Sequence, residues 1–335
     1  MNVNQRLIVT GGAGFIGANL VHYLLEQGGF DQLVVVDKLT YAGNKRYIED
    51  ALNHPNVSFV QADIADMSAM QKLFSEVKPT GVYHLAAESH VDRSITGPGE
   101  FIQTNIVGTF VLLECARALH QSGERIRFLH VSTDEVFGEL ESDDGFFVED
   151  TPYNPSSPYS ASKASSDHIV RAYHRTYGLD VVLTNCSNNF GPYQYPEKLI
   201  PVIIRNIRDR KPLPVYGEGL NIRDWLYVED HCSALFTVFN KGETGRSYNV
   251  GTNNEWRNID LVKLLCKLVD EELGTKDSEG LITFVKDRPG HDLRYAIDAS
   301  RLKDELGWEA GTKFEHTMRF TVRWYLENLE KIWEM

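Results

Sequence analysis

The chain is poor in the features that mark several large protein classes. Its 335 residues hold only four cysteines: Cys115, Cys186, Cys232 and Cys266. They are too far apart for a CxxC pair or a His/Cys metal site, so buried free thiols are expected rather than disulfides or ligands. The eleven histidines form no HExxH motif, and no metal is expected. No apolar run approaches the roughly 20 residues of a membrane span. Strand-like sequence begins at Arg6 without a signal-peptide pattern before it, so a cytoplasmic protein is expected. Basic charge is scarce, with 34 Lys and Arg against 47 Asp and Glu and a net charge of −13. That balance argues against a nucleic-acid partner, which needs a basic face, and no membrane partner is expected either. An anionic small molecule remains compatible, because a few local arginines can make a positive pocket in an acidic protein.

What is present is ordinary globular composition, 42% apolar and 24% charged, carrying a strongly ordered pattern. Short apolar runs at Leu7–Thr10, Leu33–Asp37, Val57–Gln61, Val82–Ala86, Arg127–Ser132 and Val181–Asn185 alternate with helical-period segments near 15–27, 66–77, 100–121 and 159–177. This alternation predicts an α/β fold, a doubly wound parallel sheet of Rossmann type, with ligands at the C-terminal strand ends. Beyond about residue 190 the elements shorten and prolines interrupt them. Residues 1–190 are expected to form the dinucleotide-binding domain with the catalytic groups. Residues 191–335 are expected to form mainly a smaller substrate lobe, with some chain returning to the sheet. The 100–121 segment is apolar around most of its circumference, from Ile102 through Phe110 to Leu119. A surface helix shows one apolar stripe. A second buried face needs a partner, either helix 159–177 or a second subunit, and a homodimer is expected.

Thr10-Gly11-Gly12-Ala13-Gly14-Phe15-Ile16-Gly17 leaves a strand and opens a helix. Glycines let the turn tighten and the backbone approach a pyrophosphate, and the helix N-terminus meets its charge. Asp37 follows Gly17 by 20 residues at the end of the next strand. A carboxylate there accepts from adenosine ribose hydroxyls and repels a 2′-phosphate, which favours NAD over NADP. Position alone adds Lys38, Leu39 and Thr40 beside Asp37, Asp63 and Ile64 after strand three, and Leu85, Ala86 and Ala87 after strand four.

Tyr159 and Lys163 are spaced i, i+4 and share a helix face. Bringing a tyrosine from about 10 to near neutrality takes roughly 4 kcal/mol of preference for the phenolate. Lys163 and a cationic nicotinamide can supply it. The phenolate then takes an alcohol proton as hydride leaves the same carbon. Thr133-Asp134-Glu135 follows strand five. Two adjacent carboxyls can hold opposite protonation states when repulsion and burial raise one of them, which suits elimination of water.

These motifs in this order resemble the extended short-chain dehydrogenase/reductase family, over nearly the whole chain. The runs 86–94, 132–138 and 187–199, with Arg223-Asp224-Trp225 and Arg288-Pro289-Gly290-His291-Asp292, are similar to its nucleotide-sugar 4,6-dehydratases, closest to those that act on dTDP-glucose. The resemblance implies an NAD-dependent lyase of deoxysugar biosynthesis, with a UDP-glucose dehydratase, a 4-epimerase or a decarboxylase as alternatives. It implies catalytic roles for Thr133, Asp134 as acid, Glu135 as base, Tyr159 and Lys163. It adds Thr104 and Asn189 to the cofactor residues. It places Glu88, Ser89, Asn188, Lys198, Leu199, Pro214, Tyr216, Arg223, Asn258, Arg288 and His291 on a nucleotide-sugar substrate. Guanidinium forks at Arg223 and Arg288 would match its diphosphate. One departure is Phe137, where the family usually has tyrosine; its ring is expected to pack all the same.

Overall fold

A computed structural model describes residues 5–140, 145–287 and 289–333. The six expected strands are β1 (Arg6–Thr10), β2 (Gln32–Asp37), β3 (Val57–Gln61), β4 (Gly81–His84), β5 (Arg127–Thr133) and β6 (Asp180–Cys186). They are followed by β7 (Asn188–Phe190), β8 (Leu213–Tyr216), β9 (Ile222–Tyr227), β10 (Ser247–Val250), β11 (Glu255–Arg257), β12 (Ile282–Val285) and β13 (Arg294–Tyr295). Helices α1 (Phe15–Gln27), α2 (Met67–Val77), α3 (Val91–Thr96), α4 (Pro98–Phe101), α5 (Thr109–Gln121) and α6 (Pro158–Tyr177) connect the first strands. Helices α7 (Leu199–Arg208), α8 (Val228–Lys241), α9 (Asn258–Leu273), α10 (Ser300–Leu306) and α11 (Phe314–Trp333) belong to the second half.

The main sheet runs β10-β6-β5-β4-β1-β2-β3, and every pairing is parallel. Its inner strands read as continuous apolar runs because both faces are covered: Val34, Val35 and Val36 are buried, as are Val181, Val182 and Leu183. The order reverses between β1 and β4, the crevice where such sheets bind ligands. The later chain does not stay apart. β10 pairs with β6, Ser247 opposite Leu183, and α8 packs on α1. β11, β9, β13 and β7 form a small sheet, and β12 pairs with β8.

The expected helix 100–121 is three pieces: α4, a π-helical stretch over Ile102–Gly108, then α5. The wider turn has local causes. Asn105 turns inward, accepting from Glu88 N–H at 2.8 Å and donating to Glu88 C=O at 3.0 Å and Ser162 Oγ at 2.8 Å. Gly108 sits so close to Ile64 that an added Cβ would meet its Cδ1 at 2.5 Å. Such bulges recur at functional sites. The two buried faces of this segment meet α2 and α6, while Ile102 and Phe110 remain exposed. All four cysteines are buried free thiols. Among the described residues no helix is long and apolar enough to cross a membrane, and no three metal-ligating side chains converge.

Candidate active site

A single cleft opens along the C-terminal ends of β1, β2, β4, β5 and β6. On one side lies the glycine turn. Gly11 has φ 70°, and a Cβ there would lie 2.7 Å from the Ala86 backbone. Gly17 comes closer still, since its Cβ would stand 2.1 Å from Gly11 O. Helix α1 therefore starts hard against the turn. Gly14 at its N-cap contributes no side-chain hydrogen bond, which leaves backbone N–H groups and the positive dipole end for an anion. Asp37 ends β2 facing the same turn and accepts from Ala13 N–H at 3.0 Å and Leu39 N–H at 2.8 Å. Burial pushes its carboxyl upward and those two N–H groups pull it back. Lys38 pairs with Asp63 at 2.8 Å. A cradle that admits no Cβ, an uncapped helix start and a carboxylate one strand away fit a dinucleotide such as NAD.

The catalytic candidates converge on the other side. Ser157 and Pro158 fix the start of α6: Ser157 and Ser160 form a reciprocal capping box and Pro158 occupies the first turn, which aims the next residue, Tyr159, at the end of β5. Lys163 lies one turn on and donates from Nζ to Val131 C=O at 2.9 Å. Thr133 caps the short 3-10 turn 134–137 by accepting from Glu135 N–H at 3.3 Å. The turn carries Asp134 and Glu135 into the cleft. Asp134 is 1% exposed. Its Oδ1 accepts from Thr133 Oγ1 at 3.3 Å, and its Oδ2 has no hydrogen-bond partner. Burial and the Glu135 charge push this carboxyl well above the usual range, with Arg223 opposing. A proton on Asp134 is the state that suits an unpartnered buried oxygen.

From the sequence, Tyr159 is expected to be depressed by Lys163 and a cationic nicotinamide together, and here only the protein's own groups act on it. In the protein alone burial dominates, Glu135 and Cys186 add to it, and the phenol is pushed well above its ordinary value, with Thr133 acting the other way. Phe137 packs as expected, stacked on Phe147 at 5.3 Å and edge-on to Tyr153 at 5.3 Å.

Gly11, Gly14, Phe15, Ile16, Gly17, Asp37, Lys38, Thr40, Asp63, Ile64, Leu85, Ala86, Ala87, Thr104 and Asn189 all line this cleft, and so do Glu88, Ser89, Asn188 and Lys198. Leu39 does not; its part is the N–H given to Asp37. Leu199, Pro214, Tyr216, Arg223, Asn258 and His291 lie outside the lining. Tyr216 and His291 meet edge to face at 6.0 Å, His291 Nδ1 contacts Asp287 at 2.6 Å, and Tyr216 Oη reaches Asp92 at 3.4 Å. Asn258 starts α9, its N–H bonded to Asn221 C=O at 2.9 Å. Leu199 opens α7, and Pro214 pairs with Thr283 across β8 and β12. Arg223 is buried; it donates to the carbonyls of Ile222 at 2.7 Å, Leu293 at 3.2 Å and Asp292 at 2.9 Å and lies over the Tyr295 ring. Arg288 lies outside the described residues.

Residues 8–321 match the family model described as GDP-mannose 4,6 dehydratase. A dTDP-glucose 4,6-dehydratase of Neisseria meningitidis is 54% identical over 339 residues, covering 98% of this chain and 95% of that protein. The chain belongs to this family of nucleotide-sugar 4,6-dehydratases. DesIV of Streptomyces venezuelae, a dTDP-glucose 4,6-dehydratase crystallised with NAD, is similar in structure with a TM-score of 0.91 at 44% identity, covering 98% of this chain and 99% of that one. The UDP-glucose 4-epimerase of Thermotoga maritima reaches a TM-score of 0.86 at 28% identity, covering 97% and 100%. The backbone alone therefore does not separate a 4,6-dehydratase from an epimerase; residues at the strand end have to.

The sequence reading missed several residues of this 4,6-dehydratase cleft, Tyr41, Tyr195, Glu197 and Ser187 among them. Tyr41 lies under the Arg93 guanidinium at 3.6 Å and edge-on to Tyr195 at 5.3 Å. Glu197 takes Arg93 at 3.2 Å and His90 at 3.6 Å. These contacts tie the loop after β2 to the segment before α7. Ser187, Tyr195 and Glu197 fall inside the 187–199 run and could have been taken with it, whereas Tyr41 had only its place beside Thr40.

Proposed function

We propose that the chain is an NAD-dependent dTDP-glucose 4,6-dehydratase that converts the nucleoside diphosphate glucose to its 4-keto-6-deoxy form with loss of water. The observation that carries this reading is Asp134: a buried carboxyl with one unpartnered oxygen, held beside Glu135 in the same cleft as Tyr159. An epimerase returns hydride to C4 and has no need of an acid at C6. A 4-epimerase or decarboxylase, and a UDP-glucose dehydratase, are the alternatives the experiment has to beat.

NAD, when bound, supplies the acceptor for the hydride leaving C4 and returns it to C6. Gly11, Gly14 and Gly17 would let its pyrophosphate approach the α1 N-terminus, and Asp37 would hold its adenosine ribose. Tyr159 takes the proton of the sugar 4-hydroxyl, with Thr133 donating a hydrogen bond to that oxygen. The 4-ketone acidifies C5–H, and Glu135 removes that proton. Asp134 protonates the 6-hydroxyl, which departs as water. Glu135 then returns its proton to C5, and the proton left on Tyr159 replaces the one Asp134 gave up. All groups end as they began. Lys163 contributes positive charge near the phenol.

For the substrate we assign Glu88 and Ser89 to the hexose, Asn188, Lys198 and Leu199 to the path to the diphosphate, and Arg223, Arg288, Asn258 and His291 to the phosphates. Pro214 and Tyr216 are assigned to the base. This makes residues 1–190 the cofactor and catalytic part and 191–335 mainly the substrate part, with β10 lent to the sheet. We also infer a cytoplasmic homodimer joined through the exposed Ile102 and Phe110 side of the π-helical segment and α5; light scattering tests it.

Incubation with dTDP-glucose deuterated at C4 is the decisive experiment. The reading expects a product lighter by one water with deuterium at C6. Deuterium retained at C4 without loss of mass supports the epimerase instead, and faster turnover of UDP-glucose reassigns the base.

A further inference from the structure

One turn beyond Lys163 on α6 lies a buried charge that the steps above do not use. Asp167 is fully buried and accepts from four side chains: His130 Nε2 at 3.1 Å, Ser132 Oγ at 2.8 Å, Tyr153 Oη at 2.9 Å and Asn185 Nδ2 at 3.4 Å. His130 and Ser132 flank Val131 on β5, and the Val131 carbonyl is the acceptor for Lys163 Nζ. Three consecutive residues of one strand thus fix both the carboxylate and the ammonium. Tyr159, Lys163 and Asp167 follow each other at i, i+4 and i+8 along one helix face.

These donors keep Asp167 ionised, its carboxyl lowered against the burial that would raise it. A buried carboxylate needs a counter-charge. His130 does not supply one, because burial and Lys163 push it down to about 4. Arg171 engages Tyr153 Oη at 3.0 Å and Ser247 Oγ at 2.9 Å, so it reaches Asp167 through the Tyr153 hydroxyl, which donates to that carboxylate. Lys163 is the cation one turn nearer the cleft, and its charge and that of Asp167 favour each other. Lys163 is 4% exposed; burial lowers its hold on the proton, and the Asp167 charge is the main influence in the opposite direction.

We propose that Asp167 is a positioning residue that keeps the Lys163 ammonium charged and so makes it available to the Tyr159 phenol. The inference rests on the assignment of Tyr159 as the base. Its content lies in a sign. Asp167 is itself negative, so acting directly on Tyr159 it would hinder the phenolate, and neutralising it would ease ionisation. Acting through Lys163 it does the reverse. The other groups that face Lys163 are His130 on β5, His84 on β4 and Cys186 on β6. Tyr159 lies one turn before it on α6 and is reached by Asp134 and Glu135 from the strand end, and Arg171 acts on His130.

The test uses the NAD-loaded protein. The ultraviolet band of the Tyr159 phenolate is isolated as the difference from Tyr159→Phe and followed against pH. In Asp167→Asn its midpoint is expected to move to higher pH by about one unit, a tenfold change in proton affinity. The acid limb of kcat/KM for dTDP-glucose should move with it, and Asp167→Glu should restore both. A midpoint that stays or moves to lower pH overturns the proposal. If Asp167→Asn does not fold, the double variant Asp167→Asn with Lys163→Met removes both charges and is compared with Lys163→Met alone. Coincident midpoints support the proposal; a further displacement overturns it. The spectral titration needs no turnover, so a protein that leaves dTDP-glucose unchanged would sink the functional reading and still give the Asp167 result.

Discussion

The two walls of the cleft are built on different plans. The sheet wall takes each functional group from the end of a strand or the start of a helix, within a few residues of a turn that sterics already fix: Gly11 and Gly17 against each other, Asp134 and Glu135 on a Thr133-capped turn, Tyr159 behind a Ser157 capping box. The proposed substrate wall lies beyond the lining of the cleft and is gathered from β8, β9, α9 and the segment after β12. Its polar groups are engaged with protein partners, Arg223 with three backbone carbonyls and His291 with Asp287. The sheet wall is organised before any ligand arrives, whereas on the proposed assignment the substrate wall has to exchange partners when one binds. Binding on that wall therefore includes a cost that the sheet wall does not carry.

Substitutions can break this contrast. The largest effect is expected from Asp134→Asn with Glu135→Gln, which leaves the cleft shape intact and removes the acid and the base. Formation of dehydrated sugar, read by mass spectrometry, should fall by about a thousandfold or more. Near wild-type rates would refute the mechanism. Next is Gly17→Ala. A Cβ there stands 2.1 Å from Gly11 O, so the turn has to open, at about 1–3 kcal/mol. NAD affinity measured by fluorescence titration should drop roughly ten- to hundredfold. Affinity retained in that variant would mean the sheet wall is not preset.

On the other wall the effects should be smaller. Arg223→Met should raise KM for dTDP-glucose by about tenfold, since one charge-assisted contact is lost while the carbonyls it held are also released. The same variant sharpens the comparison through pH. Arg223 opposes the upward push on Asp134. Without it the Asp134 proton is held to higher pH, and the alkaline limb of kcat should move up. A downward move would mean Arg223 does not act on the acid. Tyr216 is 42% exposed, and Tyr216→Ala should raise KM only a few-fold, in keeping with about 0.5–1.5 kcal/mol for a ring contact.

The contrast also explains what was legible in the sequence. The glycine turn, Asp37, the Thr133–Glu135 strand end and the Tyr159/Lys163 pair could be read because their function depends on neighbours in sequence. Each of the six early strands appears within about two residues of its expected bounds. The π-helical stretch at 102–108 could not be read, because its cause is tertiary: Asn105 reaching back to Glu88 and Gly108 pressed on Ile64. Apolar spacing alone is equally compatible with a regular helix. The tie from Tyr41 through Arg93 to Glu197 was invisible for the same reason, as it joins two loops and α3, far apart in the chain. The burial that pushes the Tyr159 phenol up in the protein alone was not legible either, because the i, i+4 spacing reveals Lys163 but not the depth at which the pair lies.

The edge position of β10 beside β6 has a consequence for synthesis. While the ribosome is still making the second half of the chain, Asp180–Cys186 presents a row of unpaired peptide groups to its surroundings, a template for association with other nascent chains. Nothing emerging before Ser247 can cap it in the native way. Translation that stalls in that interval should leave a fragment that sticks to chaperones, and release of the polypeptide past Val250 should end the hazard.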